Sequence, residues 1–220
     1  MRIVLVPGAG GIAAYWNLVA PHLREAGHEV VAVDLPGDDP AAGLVEYAAL
    51  VVDVIGESRP LLVAQSMGAF TAAMVAARAS VAGLVFVNAM IPVPGETPGD
   101  WWKNVGHADA MRAAAREGGY TETFDVETYF CHDLPPGMLE SLEHRDEVAA
   151  AFASPCDFAG WPEVPIHVLA GADDRFFPIA FQRRVTRERL GLDVTPVAGG
   201  HLNAMSRPAE VAAAILATVR

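Results

Sequence analysis

The chain has 220 residues, of which 52% are hydrophobic, so it can bury one large core and nothing in its composition requires a second domain. Its formal net charge of −12 opposes binding to nucleic acid or to an anionic membrane surface, because both are themselves negative. The two cysteines, Cys131 and Cys156, suit a reducing compartment, and no long apolar signal region precedes the first predicted strand. We therefore expect a cytoplasmic protein.

The first predicted strand, residues 2–6, leads through a glycine-rich loop into a helix over residues 13–26. Residues 8–13 fit the G-x-G-x-x-G/A pattern of dinucleotide-binding domains, and Asp34 ends the second strand, residues 29–34, where a ribose ligand would be expected. A dinucleotide-binding oxidoreductase is therefore one alternative. A short-chain dehydrogenase would also need a Tyr-x-x-x-Lys pair, but the only lysine has a glycine four residues before it.

The third predicted strand, residues 60–65, runs directly into Ser66 and then into a helix over residues 67–79. A serine at a sharp turn from strand to helix is the geometry of a nucleophile elbow, which exposes Oγ above the sheet edge. Such a turn needs small residues two positions before and after the serine, and Ala64 and Gly68 meet that need. The alternative is a serine that only caps the helix.

The alternation of strand and helix breaks after the fourth predicted strand, residues 83–88. Residues 91–163 contain seven prolines and several amphipathic helical patterns, such as residues 139–152. His132 and Asp133 in this stretch could form a metal or proton-relay pair, but no second cluster at ligand spacing accompanies them. A solvated or capping role is the alternative for that pair.

An acidic loop and a histidine loop follow the last two predicted strands. Residues 165–170 form an apolar strand that ends before Asp173 and Asp174, and the strand at residues 193–197 ends before His201 on a glycine-flanked loop. Serine, aspartate and histidine therefore occur in this order, each at the carboxyl end of a strand.

Further helices are predicted at residues 44–57, 179–190 and 208–219. Alternation of this kind predicts an α/β fold, a doubly wound, mostly parallel six-stranded sheet with helices on both faces. With strand order 2-1-3-4-5-6, the first and third strands are neighbours at the switch point, so the glycine-rich loop and the Ser66 turn should face each other across one crevice.

These motifs resemble the α/β-hydrolase superfamily along nearly the whole chain, most closely its small serine esterases and hydroxynitrile lyases. Residues 5–9 resemble the family's oxyanion loop with proline in the histidine place, and residues 33–37 are a frequent sequence after its second strand. The resemblance implies a single domain whose core covers residues 1–90 and 164–220. Residues 91–163 then correspond to a helical cap over the active site.

The resemblance implies a catalytic triad in which Ser66 is the nucleophile and His201 the general base. Two aspartates compete for the role of the acid that orients the histidine. The family pattern Asp-x-x-x-Pro selects Asp174, four residues before Pro178, over Asp173.

In that family the main-chain N–H groups of Ala9 and Met67 would form the oxyanion hole. The predicted pocket residues are Gly8, Trp101, Trp102, Tyr129, Phe130, Trp161 and Leu202. For each aromatic residue of the cap, packing in the core is the alternative. The mechanism calls for no metal and no organic cofactor.

Carboxylic ester hydrolysis is the simplest reaction for this set of residues, with a small-molecule acyl substrate as the partner. A serine rather than an aspartate at the turn argues against epoxide hydrolases and dehalogenases. Leu202 lies where the related plant hydroxynitrile lyases carry a lysine. Lyase activity, carbon–carbon bond hydrolysis, acyl transfer and a binding protein with low turnover remain alternatives, and the sequence leaves the oligomeric state open.

Overall fold

A computed structural model of the chain describes residues 1–139 and 145–219, and within them six strands form one sheet. The strands are β1 (Arg2–Val6), β2 (Glu29–Ala32), β3 (Leu61–Gln65), β4 (Gly83–Val87), β5 (Ile166–Gly171) and β6 (Thr195–Val197). Their order is β2-β1-β3-β4-β5-β6, and every neighbouring pair is parallel. The predicted doubly wound sheet and its strand order are confirmed.

Helices cover both faces of this sheet. They are α1 (Val19–Glu25), α2 (Leu44–Ile55), α3 (Gly68–Ala76), α4 (Pro98–Asn104), α5 (His107–Gly118), α6 (Ala149–Ala153), α7 (Ile179–Leu190), α8 (Asn203–Ser206) and α9 (Pro208–Ala217). Helices α2 and α3 pack together on one face, and α1 and α9 pack together on the other. No described helix is long and apolar enough to cross a membrane.

The first strand illustrates how the sequence builds two cores. Successive side chains of a strand point to opposite faces, so Val4 and Val6 join the core beneath α2 and α3, whereas Ile3 and Leu5 pack toward Trp16 and α9. All four strand side chains are fully buried. Burial of each side chain contributes at most roughly 1.5–3 kcal/mol to the free energy of folding, because apolar surface is removed from water.

The predicted helix over residues 13–26 is in fact two pieces, a 3₁₀ turn at Ala13–Trp16 and helix α1. The break has a local cause in Pro21, the third residue of α1. A continuous helix would place Pro21 in its interior, where the ring clashes with the carbonyl four residues earlier and no N–H is available to donate. Proline is tolerated only in the first turn, so the α-helix begins at Val19.

The chain between β4 and β5 consists of short helices joined by longer irregular stretches. It contains α4, α5, a π-helical turn at Glu127–Cys131 and α6. Of the helix predicted at residues 139–152, residues 140–144 lie outside the described chain, and residues 145–148 are not helical. Val148 is extended because its N–H donates to the carbonyl of Gly37 at 3.0 Å, and the helix begins only at Ala149.

The sheet register brings two loops together at its carboxyl edge. Val6, the last residue of β1, pairs with Ala64 near the end of β3. The loop that starts at Pro7 and the turn at Ser66 therefore leave the sheet side by side. This is the switch point of the sheet, where crevices form in doubly wound folds.

Candidate active site

Ser66 occupies a strained turn between β3 and α3. Its φ angle is +50°, a conformation that non-glycine residues rarely adopt, and the surrounding main chain holds it there. The Ser66 N–H donates to the carbonyl of Val87 at 3.1 Å, and the Ser66 carbonyl accepts the N–H of Met90 at 3.0 Å. The last residue of β4 and the loop just after it thus fix the turn from both sides of the serine.

The small residues that the turn requires are tightly packed. A Cβ atom at Gly68 would overlap the carbonyl oxygen of Pro7, so the first turn of α3 lies directly against the loop after β1. Ala64 is fully buried in β3. A Cβ atom at Gly8 would come within 3.0 Å of Ser66 Cβ, which shows that the glycine-rich loop faces the serine as predicted.

The structure brings Ser66, His201 and Asp174 into one hydrogen-bonded row. Ser66 Oγ lies 3.1 Å from His201 Nε2, and His201 Nδ1 lies 2.9 Å from Asp174 Oδ2. All three residues are buried. With its proton on Nδ1, the imidazole donates to the carboxylate and presents Nε2 as an acceptor for the serine hydroxyl.

Asp174, rather than Asp173, contacts the histidine. The other oxygen of Asp174 accepts the main-chain N–H groups of Phe176 and Phe177, each at 2.8 Å, so the carboxylate cannot rotate away. Asp173 is exposed, and its carboxylate accepts the N–H of Gly199 at 3.3 Å. The Asp-x-x-x-Pro pattern favoured this same residue, and its role as the triad acid stays a prediction.

Aromatic rings enclose the imidazole of His201. Phe130, from the segment between β4 and β5, stacks on it with 5.2 Å between ring centroids and 20° between planes. Phe176 and Phe177 pack edge-on at 5.1 and 4.7 Å. His107 donates to the Phe176 carbonyl at 2.8 Å, and burial lowers the pKa of His107, which favours its neutral form. The ring of His201 is therefore held in place and shielded from water.

Two polar residues outside the hydrogen-bonded row, Asn88 and Asp133, support the histidine loop. Asn88, at the end of β4 with a φ of +47°, donates to the carbonyls of Gly200 and His201 at 3.2 and 3.0 Å. Its carbonyl oxygen accepts the N–H of Gly171 at 2.6 Å. Asp133 accepts the N–H of Gly200 at 2.8 Å from the other side. A sequence signal existed for Asn88, since it too ends a strand at the switch-point edge.

The main-chain groups predicted for the oxyanion hole lie on the two facing loops. Met67 precedes the first residue of α3, where N–H groups have no intrahelical acceptor. Ala9 lies on the glycine-rich loop and lines the neighbouring cavity. Both positions suit N–H donors that bind a developing negative charge.

A cavity of about 590 Å³ opens beside the serine turn. Apolar side chains form most of its wall, with Gln65, Arg145, Asp146 and Glu147 as the polar exceptions. Its apolar and main-chain lining is Pro7, Gly8, Ala9, Gly10, Ile12, Tyr15, Phe124, Val126, Phe130, Leu139, Phe152, Leu202 and Met205. Of the predicted pocket residues, Gly8, Phe130 and Leu202 are in this wall.

The other four predicted pocket residues lie elsewhere, and for them the alternative of core packing is correct. Trp101 is fully buried against Phe177, and its indole N–H donates to the carbonyl of Ile91. Trp102 packs on Trp101 and the same core. Tyr129 is fully buried and donates to Thr121, and Trp161 packs edge-on against Phe86. Trp101 and Tyr129 are thus covered by the protein, whereas Trp102 and Trp161 are partly buried against the core, and none of the four lines the cavity.

The geometry does not favour a dinucleotide at the glycine-rich loop. Asp34, the candidate ribose ligand, is engaged by Arg145 at 2.8 Å and by the N–H of Ala13 at 2.9 Å. The N–H of Gly10 is engaged by Glu147 at 2.8 Å. Within residues 1–139 and 145–219, no group of three or more His, Cys, Asp or Glu side chains is arranged to hold a metal ion.

Comparison with known proteins agrees with this architecture. The model of the Alpha/beta hydrolase family matches residues 3–214. The pyrethroid hydrolase of Sphingobium wenxiniae is 27% identical over an alignment of 239 residues, gaps included, that covers 97% of this chain and 85% of that protein. A crystal structure of a pyrethroid hydrolase is 25% identical, with a TM-score of 0.81 and coverage of 100% and 97%. Polyneuridine aldehyde esterase, 19% identical with a TM-score of 0.77 over 100% and 99% of the two chains, shares the fold.

Proposed function

Because the chain belongs to the alpha/beta hydrolase family, we propose that it is a serine hydrolase that cleaves carboxylic esters of small molecules through an acyl-enzyme. One observation carries the proposal, the hydrogen-bonded row in which Ser66 Oγ is 3.1 Å from His201 Nε2 and His201 Nδ1 is 2.9 Å from Asp174. A serine needs an adjacent base to become a nucleophile, and a base needs a group that fixes its tautomer. This row supplies both.

In the proposed acylation step, His201 Nε2 takes the proton of Ser66 as Oγ attacks the carbonyl carbon of the ester. The carbonyl oxygen becomes an oxyanion, which the N–H groups of Ala9 and Met67 bind. His201 then gives its proton to the oxygen of the leaving alcohol as the carbon–oxygen bond breaks. The acyl group remains on Ser66.

In the proposed deacylation step, a water molecule attacks the acyl-enzyme while His201 accepts its proton. Collapse of the second tetrahedral intermediate returns the proton to Ser66 and releases the acid. Asp174 stabilises the imidazolium at both stages and keeps the proton of the neutral ring on Nδ1. These steps use only groups of the chain and water, so the proposal requires no cofactor.

The cavity supports an apolar ester as the substrate. Its walls carry Phe124, Phe130 and Phe152, and a site of this kind binds aromatic or branched groups by removing their surface from water. A relative and a structural neighbour of this chain are named as pyrethroid hydrolases, which supports the same class. We propose that the substrates are esters with short to medium or aromatic acyl groups. We also propose that the protein acts in the cytoplasm.

The test is a fluorophosphonate probe followed by mass spectrometry and an ester series. We expect the label on Ser66, no label on a Ser66→Ala control, and sustained turnover of p-nitrophenyl esters with a preference among acyl groups. A label elsewhere, or none, contradicts the proposal. Release of one equivalent of product without later turnover would instead indicate a binding protein that retains the triad.

A further inference from the structure

Residues 145–148, from the segment between β4 and β5, lie across the two loops that follow β1 and β2. Arg145 Nη1 contacts Asp34 Oδ2 at 2.8 Å and the carbonyl of Leu35 at 3.2 Å. The N–H of Val148 donates to the carbonyl of Gly37 at 3.0 Å. This short extended strip is therefore attached to the core on both sides of Glu147.

Glu147 extends from this strip into the wall of the cavity beside the serine turn. Its Oε2 accepts the main-chain N–H of Gly10 at 2.8 Å, and its Oε1 accepts the hydroxyl of Tyr47. The carbonyl of Pro36 lies 3.3 Å from the same hydroxyl oxygen and is a second, more distant acceptor for its one proton. Burial raises the pKa of the Glu147 carboxyl, and the hydrogen bonds from Tyr47 and Gly10 act against that rise because they stabilise the charged form.

Gly10 is the residue immediately after Ala9, whose N–H is the proposed oxyanion donor. Three of the four residues from Gly8 to Gly11 are glycines, and Gly10 has a φ of +82°, so the loop has unusual conformational freedom. A Cβ atom at Gly10 would lie 2.6 Å from the carbonyl oxygen of Arg145. The loop is thus pressed against the strip, and Glu147 holds the peptide that joins Ala9 to Gly10.

We propose that Glu147 is a positioning residue for the oxyanion hole: its hydrogen bond to Gly10 fixes the loop so that the Ala9 N–H points to the reacting carbonyl oxygen. This inference rests on the proposed function. Glu147 acts through the main chain and does not contact the reacting atoms. An oxyanion donor is effective only when it is already in place at the transition state, so losing the anchor should lower turnover more than substrate affinity.

Two substitutions at Glu147 separate anchoring from charge. Glu147→Ala removes the acceptor for the Gly10 N–H. Glu147→Gln keeps a carbonyl oxygen for Gly10 and turns an NH₂ toward Tyr47, whose hydroxyl can accept it while still donating to Pro36. Glutamine should therefore rescue most of the function that alanine loses.

The experiment measures kcat and KM for p-nitrophenyl acetate, an ester too small to depend on the cavity wall, and the Ki of an alkyl trifluoromethyl ketone. The ketone's adduct with Ser66 carries an oxyanion and so reports on the hole directly. We expect Glu147→Ala to lower kcat about 10-fold to 100-fold with KM changed less than about threefold, and to raise the Ki by a similar factor as kcat falls. Glu147→Gln should stay within about fivefold of the unaltered protein.

Tyr47→Phe is the matched control, because it removes the other bond to Glu147 and leaves the bond to Gly10. It should lower the melting temperature but keep kcat within about threefold. A folded Glu147→Ala with unchanged kcat, a change in KM alone, an unchanged Ki, or an equal loss in Tyr47→Phe would each overturn the inference. Failure of the unaltered protein to label at Ser66 would instead overturn the proposed function, and the two failures are thus distinguishable.

Discussion

Asn88 donates its side-chain amide to the main-chain carbonyl of His201 at 3.0 Å, so strand β4 holds the loop that carries the imidazole. The same side chain accepts the N–H of Gly171 at 2.6 Å, where β5 leads toward Asp174. This one fully buried residue therefore connects the loops of His201 and Asp174 to the strand next to the serine turn.

We expect Asn88→Ala to lower both stability and turnover. The substitution leaves a buried N–H and two carbonyls without their partner, which costs about 1–3 kcal/mol for each group left unsatisfied, and it frees the histidine loop to move. A displacement of about 1 Å is enough to reduce kcat by roughly 10²-fold. Thermal melting and kcat for a p-nitrophenyl ester measure the two effects.

The control is Asn104→Ala, which removes a side-chain hydrogen bond to Glu96 at 2.8 Å outside the site. It should leave kcat unchanged. Full turnover in Asn88→Ala would show that the histidine loop holds its position without this residue.

Ser66→Ala should abolish ester hydrolysis and leave the fold intact. The side chain loses only a hydroxyl, and the turn is held by main-chain hydrogen bonds to Val87 and Met90 that alanine keeps. We expect kcat to fall by at least about 10³-fold, with a melting temperature close to that of the unaltered protein. Thermal shift with NAD(H) or NADP(H) tests the dinucleotide alternative in parallel, and a stabilisation of several degrees would favour it.

Asp174→Asn should lower kcat by about 10³-fold or more, because an amide next to His201 Nδ1 favours the wrong tautomer. Asp173→Asn should lower kcat far less, since that exposed carboxylate contacts Gly199 rather than the imidazole. Steady-state kinetics of both variants with one ester decides the matter. The reverse ranking would mean that Asp173 is the working acid.

Turnover should fall on acidification, because His201 must be neutral to accept the serine proton. Burial lowers the pKa of His132, which favours its neutral form, and His132 is not part of the hydrogen-bonded row, so His132→Ala should leave the acid limb in place. His201→Ala should remove the limb together with the activity. Rate against pH for the three proteins is the measurement, and a limb that disappears with His132 would identify a base outside the triad.

Glu147 should also make stability depend on pH. Its pKa in the folded state is raised by burial above the value in the unfolded chain, so its contribution is fully present below about pH 4.3 and is lost as the pH rises through the folded pKa. The difference in melting temperature between Glu147→Gln and the unaltered protein should therefore grow in favour of glutamine from pH 4 to pH 7. A difference that shrinks over this range would contradict the sign of the shift.

The sheet and the meeting of the three candidate triad residues at one edge were predictable, because both follow from where the strands end. Apolar runs identify parallel strands, and a parallel sheet gathers everything that follows them at one edge, including Ser66, Asp174 and His201. The sequences of residues 5–9 and 33–37 further indicated the α/β-hydrolase family. The break in the predicted helix over residues 13–26 could also have been read from Pro21.

The supports of the site and most of its wall could not be predicted. Glu147 and Gly10 are 137 residues apart, and Asp133 and Gly200 are 67 apart, so no local pattern links them. Trp101 and Phe130 are both aromatic residues of one irregular segment, and only the packed structure separates a core ring from a cavity ring.

The segment between β4 and β5 contributes to the cavity wall and also to the hydrogen bonds that hold the histidine loop and the glycine-rich loop. Phe130 belongs to the wall, whereas Asp133 accepts a hydrogen bond from the histidine loop and Glu147 accepts one from the glycine-rich loop. If the proposed function holds, changes in this segment should alter both which ester is cleaved and how fast it is cleaved. A chimera could take this segment from a relative in order to change which ester is cleaved. It would have to keep a hydrogen-bond acceptor at positions 133 and 147, because without them we expect a new pocket but a lower kcat.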